Sequence, residues 1–461
     1  TSGTGWSYDS STCTLILNGA HITELAPNDL IKFKNFDDVG NIYGIYCIGD
    51  LNIINTGTNT IDIRDASLDK SKGLKIYGNL TVTGSGKLTL AGLVRGIEGN
   101  DLTVKENVEL ECISSKETEY TNYSGRGISI YGAVIVSDKA HLIGRANRGN
   151  ENTGIFLLGS MSIESDAMVS AFAMYGSAGG NIKGFDALNA NIEVNGKLIV
   201  ESGNAGDKRY GSGIFLMNSN LKVLGTGSVE VRAGNPGPTS GFGVYGVNAI
   251  DGGSITIDGG GFLASGGSGA IYPSSTPVTI TEPPVYYEIS ENKDGSNPTI
   301  YTSAEDWATV NGKFGNIKYI KATTIYDVYV NDVQVTRLNS HDVLGDGTVS
   351  YEVANGANPA TLRLNNASFA GDLKLSEPTS IILTGENAVG DIHTKGELKL
   401  GGSGELTLNG SLEGTDTKVI VEGQAKLITS RDITIKELIN NSSIENNAKL
   451  TIADSISGSG D

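Results

Sequence analysis

Tyrosine, arginine and lysine residues recur together in the longer insertions of the first half of the chain. The members of this set are Tyr120, Tyr123, Arg126, Arg145, Arg148, Tyr175, Lys208, Arg209 and Tyr210. Aromatic rings stack on sugars and on other side chains, and a guanidinium group forms paired hydrogen bonds to a carboxylate, so both are enriched at binding hot spots. The set predicts a binding surface for a polysaccharide or a protein. The competing interpretation is that long loops simply carry polar and aromatic residues.

The acidic residues and histidines give a weaker indication of catalysis. A glycoside hydrolase needs two or three carboxylates on one strand face, but the Asp37–Asp38 pair lies before the repeats and the four histidines are scattered. A polysaccharide lyase would instead need calcium-binding acids beside an arginine or lysine base. Asp166, Asp186 and Asp207 fall in neighbouring repeats, near several arginines. We therefore expect no enzymatic activity and keep a pectate-type polysaccharide lyase as an alternative.

Motifs for metal binding are incomplete. Asp342 and the Gly345–Gly347 turn resemble the start of a calcium-binding loop, yet Leu344 and Val353 stand where oxygen ligands are required. The three cysteines have neither the spacing of a metal site nor the number of a disulfide framework. We predict no cofactor, and a structural calcium ion between neighbouring turns is the open alternative.

A recurrent glycine marks the elements that must position these groups. It stands at Gly44, Gly73, Gly96, Gly127, Gly154, Gly184, Gly213, Gly243 and Gly269. Successive steps range from 23 residues (96 minus 73) to 31 residues (127 minus 96). Apolar and polar residues alternate between the glycines in short runs, which predicts short strands joined by tight turns. A repeat of this length with β content predicts a β-solenoid, in which each coil buries its apolar face against the next.

The longer insertions all occupy one place in the repeat, just before the recurrent glycine. They span residues 115–125, 145–153, 175–183, 203–212 and 234–240. Equivalent positions stack in a solenoid, so these insertions should form one continuous loop ridge along one edge of the molecule. Loops on a rigid scaffold commonly carry recognition, and the loop ridge is therefore the predicted binding face.

Changes in this pattern divide the chain into three predicted segments. Residues 1–273 should form the first solenoid, and residues 324–461 a second, shorter one. Residues 274–323 contain several prolines and irregular strand-like runs, which are typical of a cap or linker that covers an open sheet edge.

An internal repeat relates the two predicted solenoids. The motif of Gly3–Ile22 returns at Gly345–Phe369, where a paired-strand segment, Tyr326–Val343, precedes it. No such paired-strand segment precedes the first copy in this sequence. We therefore expect that the first solenoid has further strands before residue 1, and that the second continues beyond residue 461.

Net charge and hydropathy limit the possible partners. The formal charge is −18, which disfavours nucleic acid or an anionic membrane surface as a partner of the whole molecule. The chain has no apolar run of the length needed to span a membrane. We expect a monomer that binds a polysaccharide or a glycoprotein.

The opening motif also resembles a known group of proteins. Gly-x-Gly-Trp-Ser-Tyr-Asp leads to Thr-Leu-x-Leu-Asn-Gly, and Gly44–Ile53 has the form Gly-Ile-Tyr-x-x-Gly-Asp-Leu-x-Ile. These motifs resemble the β-helical repeat proteins of Gram-positive bacterial surfaces, often labelled carbohydrate-binding-domain proteins. The resemblance covers nearly all of the chain, but its motifs are strand and turn residues, which indicate fold and compartment more than function. It implies a right-handed parallel β-helix, export, surface attachment through segments outside this chain, and binding to polysaccharide or host material.

Together these features predict an extracellular protein at the cell surface, built of two right-handed parallel β-helices in tandem. It should act without catalysis, as an adhesin that recognises a polysaccharide or a host secreted protein such as mucin or immunoglobulin through the loop ridge of the first β-helix. The alternatives are the lyase described above and a structural stalk that binds nothing.

Overall fold

The computed structural model describes residues 2–23, 42–64, 70–115, 124–149, 151–176, 181–205, 210–237, 243–272, 278–282, 286–302, 314–354, 358–413 and 416–461. The chain divides into two compact units, unit 1 (Thr1–Thr323) and unit 2 (Thr324–Asp461). The described residues form strands and turns and contain no helix. They also contain no apolar helix that could cross a bilayer.

The described residues of unit 1 form thirty-two strands, most of them short. They are β1 (Ser2–Gly3), β2 (Trp6–Asp9), β3 (Thr14–Asn18), β4 (His21–Ile22), β5 (Ile42–Cys47), β6 (Leu51–Thr56), β7 (Thr58–Asp62), β8 (Ser71–Ile76), β9 (Asn79–Gly92), β10 (Arg95–Gly99), β11 (Asp101–Val104), β12 (Asn107–Ser114), β13 (Gly125–Ile130), β14 (Ala133–Val136), β15 (His141–Gly149), β16 (Asn152–Leu157), β17 (Ser160–Ile163), β18 (Met168–Gly176), β19 (Ile182–Leu188), β20 (Asn191–Val194), β21 (Lys197–Ser202), β22 (Gly211–Met217), β23 (Asn220–Leu224), β24 (Ser228–Ala233), β25 (Val244–Ile250), β26 (Ser254–Asp258), β27 (Gly261–Ser265), β28 (Gly269–Ile271), β29 (Val278–Glu282), β30 (Tyr286–Ser290), β31 (Thr299–Tyr301) and β32 (Tyr319–Thr323).

Most of these strands stack in three long parallel sheets, and each coil of the chain passes through the three in turn. Sheet 1 contains β3, β6, β9, β11, β14, β17, β20, β23, β26 and β29. Sheet 2 contains β4, β7, β9, β12, β15, β18, β21, β24 and β27, and the long strand β9 runs through both sheets. Sheet 3 contains β5, β8, β10, β13, β16, β19, β22, β25 and β28. The prediction of an all-β fold with long parallel sheets, as in a β-solenoid, is confirmed.

Alternating side chains form the core of unit 1. In β6 the side chains of Leu51 and Ile53 are buried, whereas those of Asn52 and Ile54 are exposed, as the two-residue period of a strand requires. The same positions in successive coils join into one apolar cluster. Each fully buried leucine or isoleucine of this cluster stabilises the fold by about 1.5–3 kcal/mol relative to an exposed one.

The recurrent glycines line the corner between sheet 2 and sheet 3, where the backbones of neighbouring coils approach closely. A Cβ atom added to Gly154 would lie 2.6 Å from the carbonyl oxygen of Gly184 in the next coil and 2.6 Å from the backbone nitrogen of Phe172 in sheet 2. A glycine there has no side chain to hold the coils apart. The recurrence therefore reflects close contact between backbones.

The last two members of the predicted glycine series are wrong. The register between β22 and β25 aligns Gly213 with Gly246, and that between β25 and β28 aligns Gly246 with Ala270. Gly243 lies just before β25 and Gly269 one residue before the corner. Alanine occurs at this corner in the last coil of sheet 3, after which the described residues add no further parallel strand to this sheet.

Fully buried asparagines hold the corner between sheet 1 and sheet 2. The Oδ1 atom of Asn59 accepts a hydrogen bond from the backbone nitrogen of Ala20 (2.7 Å). Its Nδ2 atom donates to Oδ1 of Asn55 (2.8 Å) and to the carbonyl oxygen of Thr56 (3.0 Å). Asn55 in turn donates to the carbonyl oxygen of Ser85 in the following coil (2.8 Å). Two buried amides thus join three coils.

The predicted internal repeat is confirmed as an antiparallel hairpin that precedes a parallel sheet. In unit 1, β2 pairs with β3 in antiparallel fashion and β3 then pairs with β6 in parallel. In unit 2, Val349–Glu352 pairs in antiparallel fashion with Ala360–Asn365, which then pairs in parallel with Thr379–Thr384. The segment before the second copy also forms a hairpin, as predicted.

The end of unit 1 departs from the parallel pattern. The strand β29 still adds to sheet 1 in parallel, but β32 pairs with β27 in antiparallel fashion and continues to β30 and β31. An antiparallel strand covers the backbone groups of β27 that would otherwise form an open edge. The predicted boundaries at residues 273 and 323 remain predictions.

Unit 2 repeats the architecture with shorter coils. Its strands are β33 (Ile325–Val330), β34 (Val333–Thr336), β35 (Val349–Glu352), β36 (Ala360–Asn365), β37 (Leu373–Leu375), β38 (Thr379–Thr384), β39 (Glu386–Val389), β40 (Ile392–Thr394), β41 (Glu397–Gly402), β42 (Glu405–Leu408), β43 (Leu412–Glu413), β44 (Lys418–Val421), β45 (Lys426–Thr429), β46 (Ile433–Asn440), β47 (Ser443–Asn446) and β48 (Leu450–Ser457). They form sheets of five, seven and four strands around an apolar cluster of their own.

Candidate functional site

The predicted binding residues are only partly within the described structure. Tyr120, Tyr123, Lys208 and Arg209 lie outside the described residues. Two more residues, Arg148 in β15 and Tyr175 in β18, are neighbours in the register of these strands, but their side chains are outside the described part. The described side chains are those of Arg126, Arg145 and Tyr210.

All five predicted insertions connect a strand of sheet 2 to a strand of sheet 3, at equivalent places in their coils. Four of the predicted loop residues are nevertheless strand residues, namely Arg148 and Tyr175, as given above, and two whose side chains are described. Arg126 lies in β13 of sheet 3 and Arg145 in β15 of sheet 2. The corner between them is tight, because a Cβ atom on Gly127 would collide with the backbone nitrogen of Arg145. Tyr210, just before β22, is exposed and its backbone nitrogen donates to Oδ1 of Asn181 (3.3 Å).

The outer face of sheet 3 gathers the polar and aromatic side chains beside this corner. Its strands place every second side chain in the core, as for Leu74, Ile97 and Ile128, so that the intervening residues face outward. The first outward column, in register order, contains Tyr43, Lys72, Arg95, Arg126, Thr153, Lys183, Ser212 and Tyr245. The second column contains Tyr46, Lys75, Glu98, Ser129, Phe156, Asp186, Phe215 and Asn248.

Positive charge dominates this face. Its two columns hold five cationic and two anionic side chains, a net charge of +3 (five minus two), on a chain whose net charge is −18. The Nζ atom of Lys72 lies 3.0 Å from Oε2 of Glu98, and Lys75 also pairs with this carboxylate. Lys183 pairs with Asp186 at 2.9 Å. The two carboxylates therefore balance only part of the positive charge.

Cations also lie over the aromatic rings of this face. The guanidinium carbon of Arg126 lies 3.9 Å from the ring centre of Phe156, and Nζ of Lys183 lies 4.0 Å from that of Phe215. Such cation–π contacts fix the long side chains above the sheet. The face thus presents cations held in place by rings, which suits recognition of an anionic ligand.

Several polar atoms of the face lack a partner. Within the described residues, Oγ of Ser129, Oδ1 of Asp186, Oδ1 of Asn248 and Nε of Arg95 are buried and accept or donate no hydrogen bond. Buried polar groups in folded proteins are nearly always paired. The four atoms belong to residues of the outer face of sheet 3, but they lie beneath its packed side chains and not at its surface.

Burial and neighbouring charges shift the pKa values of two charged groups on this face. Burial, followed by the adjacent positive charge of Arg126, lowers the pKa of Arg95 to about 10. Burial acts to raise the pKa of Glu98, but Lys75 and Lys72 outweigh it, so that this pKa lies below its ordinary value. Both groups are charged at neutral pH, and the face keeps its surplus positive charge there.

A second polar cluster lies on sheet 2. Nζ of Lys87 bridges Glu109 (3.0 Å) and Glu111 (2.7 Å), and Nε of Arg145 donates to Glu111 (3.3 Å). The pairs match cation and carboxylate closely. This cluster is largely self-neutralised, in contrast to the outer face of sheet 3.

A histidine–serine pair on sheet 2 resembles part of a nucleophilic site. Nε2 of His141 lies 2.9 Å from Oγ of Ser170, the separation expected of a base and a nucleophile. Ser170 is only 2% exposed. A substrate has no access to its hydroxyl group, and we interpret the pair as structural.

His141 gives a test of this structural interpretation. Burial lowers the pKa of His141, so the unfolded chain binds the proton more readily than the folded chain. Stability contributed by the neutral ring should therefore fall as the pH drops below about 6.5, the ordinary histidine value. We expect the melting temperature to fall more for the natural chain than for His141→Gln between about pH 7.5 and about pH 5.5. Equal falls in thermal melting curves would contradict this assignment.

The acids that could serve a lyase are not brought together among the described residues. Asp166 lies in an exposed turn between β17 and β18, and Asp186 lies on the outer face of sheet 3, paired with Lys183. The third candidate, Asp207, lies outside the described residues. The two described carboxylates therefore occupy different sides of the solenoid.

Unit 2 contains the described group that most resembles a metal site. The ligand atoms of Asp372, Asp391 and His393 lie within 4.8 Å of one another. Oδ1 of Asp372 accepts a hydrogen bond from the backbone nitrogen of Asp391 (3.2 Å), and Oδ1 of Asp391 accepts one from that of Ser411 (2.6 Å). Each aspartate thus links its turn to the next coil, and we interpret the group as a ladder of turn residues.

The segment that resembles a calcium loop forms a turn. Oδ1 of Asp342 accepts hydrogen bonds from the backbone nitrogens of Gly345 (2.9 Å), Asp346 (3.1 Å) and Gly347 (3.0 Å). The carboxylate is satisfied by N–H donors, the role that aspartate commonly takes in turns.

Sequence reasoning missed most of the outer face of sheet 3. Lys72, Arg95 and Lys183 were not among the predicted binding residues, although each stands directly before a recurrent glycine. The residue before each recurrent glycine belongs to the first outward column. The cations at this position were therefore the sequence feature from which the face could have been predicted. Attention to the insertions alone selects Arg126 and passes over its neighbours in the column.

Comparisons with known proteins add little to this geometry. No protein-family model matches the chain, and no curated protein sequence matches it. Among solved structures, a mutant of the PL6 family alginate lyase AlyGC is similar over 96% of this chain and 80% of that chain, with 10% sequence identity and a TM-score of 0.13. A similarity of this size carries no argument about fold or activity, and the function has to be proposed from the site itself.

Proposed function

We propose that this chain is a non-catalytic binding protein, displayed on the surface of a Gram-positive bacterium, that recognises a polysaccharide or the glycans of a host secreted glycoprotein. In this proposal it consists of two right-handed parallel β-helices in tandem, and the first binds the ligand. The binding surface is the outer face of sheet 3 together with the adjoining loop ridge. The observation that carries the proposal is the surplus of cations on this face of an otherwise acidic chain.

The chemistry of the face supports binding to a glycan. Arginine pairs with carboxylates and sulfates, and aromatic rings stack on the apolar faces of sugars. Arg126 over Phe156 and Lys183 over Phe215 combine both groups in two coils.

Removal of Arg126 is the direct test of this proposal. We expect Arg126→Ala to raise the dissociation constant for the ligand about tenfold or more, equivalent to about 1.4 kcal/mol, because a charge-assisted hydrogen bond and its ring contact are lost. The ligand is first identified by binding the full chain to an array of plant polysaccharides, mucin glycans and immunoglobulin. Affinities of the variant follow by titration calorimetry.

Lys139→Ala is the matched control. It removes the same charge from the exposed turn between sheet 1 and sheet 2, on the other side of the coil. Its affinity should equal that of the natural chain. Equal affinities for all three proteins would remove the outer face of sheet 3 from consideration.

A parallel assay separates binding from catalysis. A lyase would release unsaturated uronates, which absorb in the ultraviolet, from an acidic polysaccharide. Binding without a rise in absorbance is the result we expect. A steady rise would overturn the proposal in favour of the lyase, and no binding to any member of the array would favour the structural stalk.

A further inference from the structure

Three cations stand side by side on consecutive coils of the outer face of sheet 3. Lys72, Arg95 and Arg126 are register partners on β8, β10 and β13. Neighbouring strands lie about 4.7–4.9 Å apart, so like charges follow one another at that interval. Like charges directly opposite each other on neighbouring strands destabilise a sheet. A solenoid selected for stability alone has no reason to keep such a column.

The carboxylate of the neighbouring column does not remove this repulsion. Glu98 is shared by Lys72 (3.0 Å) and Lys75, and Nε of Arg95 lies 4.0 Å from it. One carboxylate thus faces three cations, and Arg126 lies one coil further along. Nε of Arg95 is buried and has no hydrogen-bond partner among the described residues. The described carboxylates therefore balance only part of the positive charge of the column.

The direction of the column indicates the shape of a matching ligand. The cations follow the stacking axis of the coils and not the length of any strand. A compact anion would meet one or two of them. A linear polymer laid along the axis would meet all three, and beyond Thr153 it would reach Lys183.

The spacing indicates how the ligand is charged. One sugar residue of a linear polysaccharide advances the chain by a length close to the separation of neighbouring strands. A polysaccharide with a carboxylate on every sugar therefore carries about one negative charge for each strand spacing along the axis. A polysaccharide with a carboxylate on every second sugar leaves alternate cations unmatched.

Building on the function proposed above, we propose that the outer face of sheet 3 binds a linear polyuronate, aligned with the stacking axis, with one carboxylate for each cationic coil. The ligand class is thus set by charge spacing, and its orientation by the column.

The first experiment compares three polymers on the full chain by titration calorimetry. Polygalacturonate carries a carboxylate on every sugar, hyaluronate carries one on every second sugar, and dextran carries none. We expect polygalacturonate to bind at least about tenfold more tightly per sugar than hyaluronate, and dextran not to bind. The affinity for polygalacturonate should fall steeply with added salt, because exposed charge pairs are screened.

The second experiment removes the charge of one coil while its side chain stays polar. Arg126→Gln should weaken polygalacturonate binding about tenfold or more and reduce its dependence on salt. Its melting temperature should change little, because relief of the repulsion from Arg95 offsets the lost contact with the ring of Phe156. Lys139→Gln is the matched control and should change neither binding nor its salt dependence.

The outcomes separate this inference from the broader proposal. Equal affinity for hyaluronate and polygalacturonate, or tight binding of dextran, would overturn charge spacing as the basis of recognition while a glycan-binding function stands. Unchanged binding of polygalacturonate to Arg126→Gln would overturn the assignment of the column. Failure of all three polymers to bind, with binding of another member of the array, would reject the polyuronate.

Discussion

Gly154→Ala should unfold unit 1 at a markedly lower temperature than the natural chain, with a loss of about 3 kcal/mol or more. The added Cβ atom would lie 2.6 Å from the carbonyl oxygen of Gly184 and 2.6 Å from the backbone nitrogen of Phe172. Both neighbours are backbone atoms held by the ladder of hydrogen bonds in sheets 2 and 3. The clash could be relieved only if the neighbouring coils moved apart, and this would disrupt the packing of the buried side chains between them.

The matched control for this substitution is Gly49→Ala. No atom lies within 4 Å of a Cβ atom built on Gly49, so the variant adds the same methyl group in open space. Its thermal unfolding, followed by circular dichroism, should match that of the natural chain or lie slightly above it, because alanine restricts the unfolded chain. The explanation by coil contact fails if the two variants melt together.

The second large effect is expected from Asn59→Leu. The substitution keeps the approximate size of the side chain but leaves the backbone nitrogen of Ala20, Oδ1 of Asn55 and the carbonyl oxygen of Thr56 without their partner. Each buried polar group left unpaired costs about 1–3 kcal/mol. We expect a loss of several kilocalories per mole, measured by chemical denaturation.

Asn52→Leu controls for the change from amide to hydrocarbon. Asn52 lies three residues before Asn55, on the exposed side of β6, where its Nδ2 atom makes one long contact of 3.4 Å with the carbonyl oxygen of Thr12. This variant should lose little stability, as is usual for surface substitutions. A similar loss in both variants would show that the buried amides do not hold the coils together.

Much of the fold could be predicted from the sequence because its causes are local. The two faces of β6 require alternating apolar and polar residues, and the close approach at Gly154 requires a glycine. Because both patterns recur once in each coil, the coils can be recognised in the sequence. The register of the last coils could not be predicted in the same way. The recurrent position passes from Gly213 to Gly246 and then to Ala270, and a nearby Gly243 satisfies the pattern equally well.

The candidate site was less accessible to sequence reasoning, because its residues meet only through stacking. Lys72, Arg95 and Arg126 are 23 (95 minus 72) and 31 (126 minus 95) residues apart. Each alone is an ordinary strand residue. The sequence does not show that the three residues are neighbours, because insertions of different length obscure the alignment of the coils. Arg126 was selected as a loop residue, and its place in β13 became clear only from the pairing of strands.

The pairing of each coil with only its two neighbours has a consequence for how such a protein changes during evolution. Strands of sheet 3 contact the preceding and the following strand in one register, so the stability of the stack is close to a sum over coils and their interfaces. Duplication of one coil would lengthen the stack by one strand spacing and leave all other contacts unchanged. If the duplicated coil carries a cation before its glycine, it also extends the column of cations by one, and with it the length of polymer that the proposed site would bind. A single duplication or deletion can in this way change the length of the stack, and of the column of cations on it, by one coil.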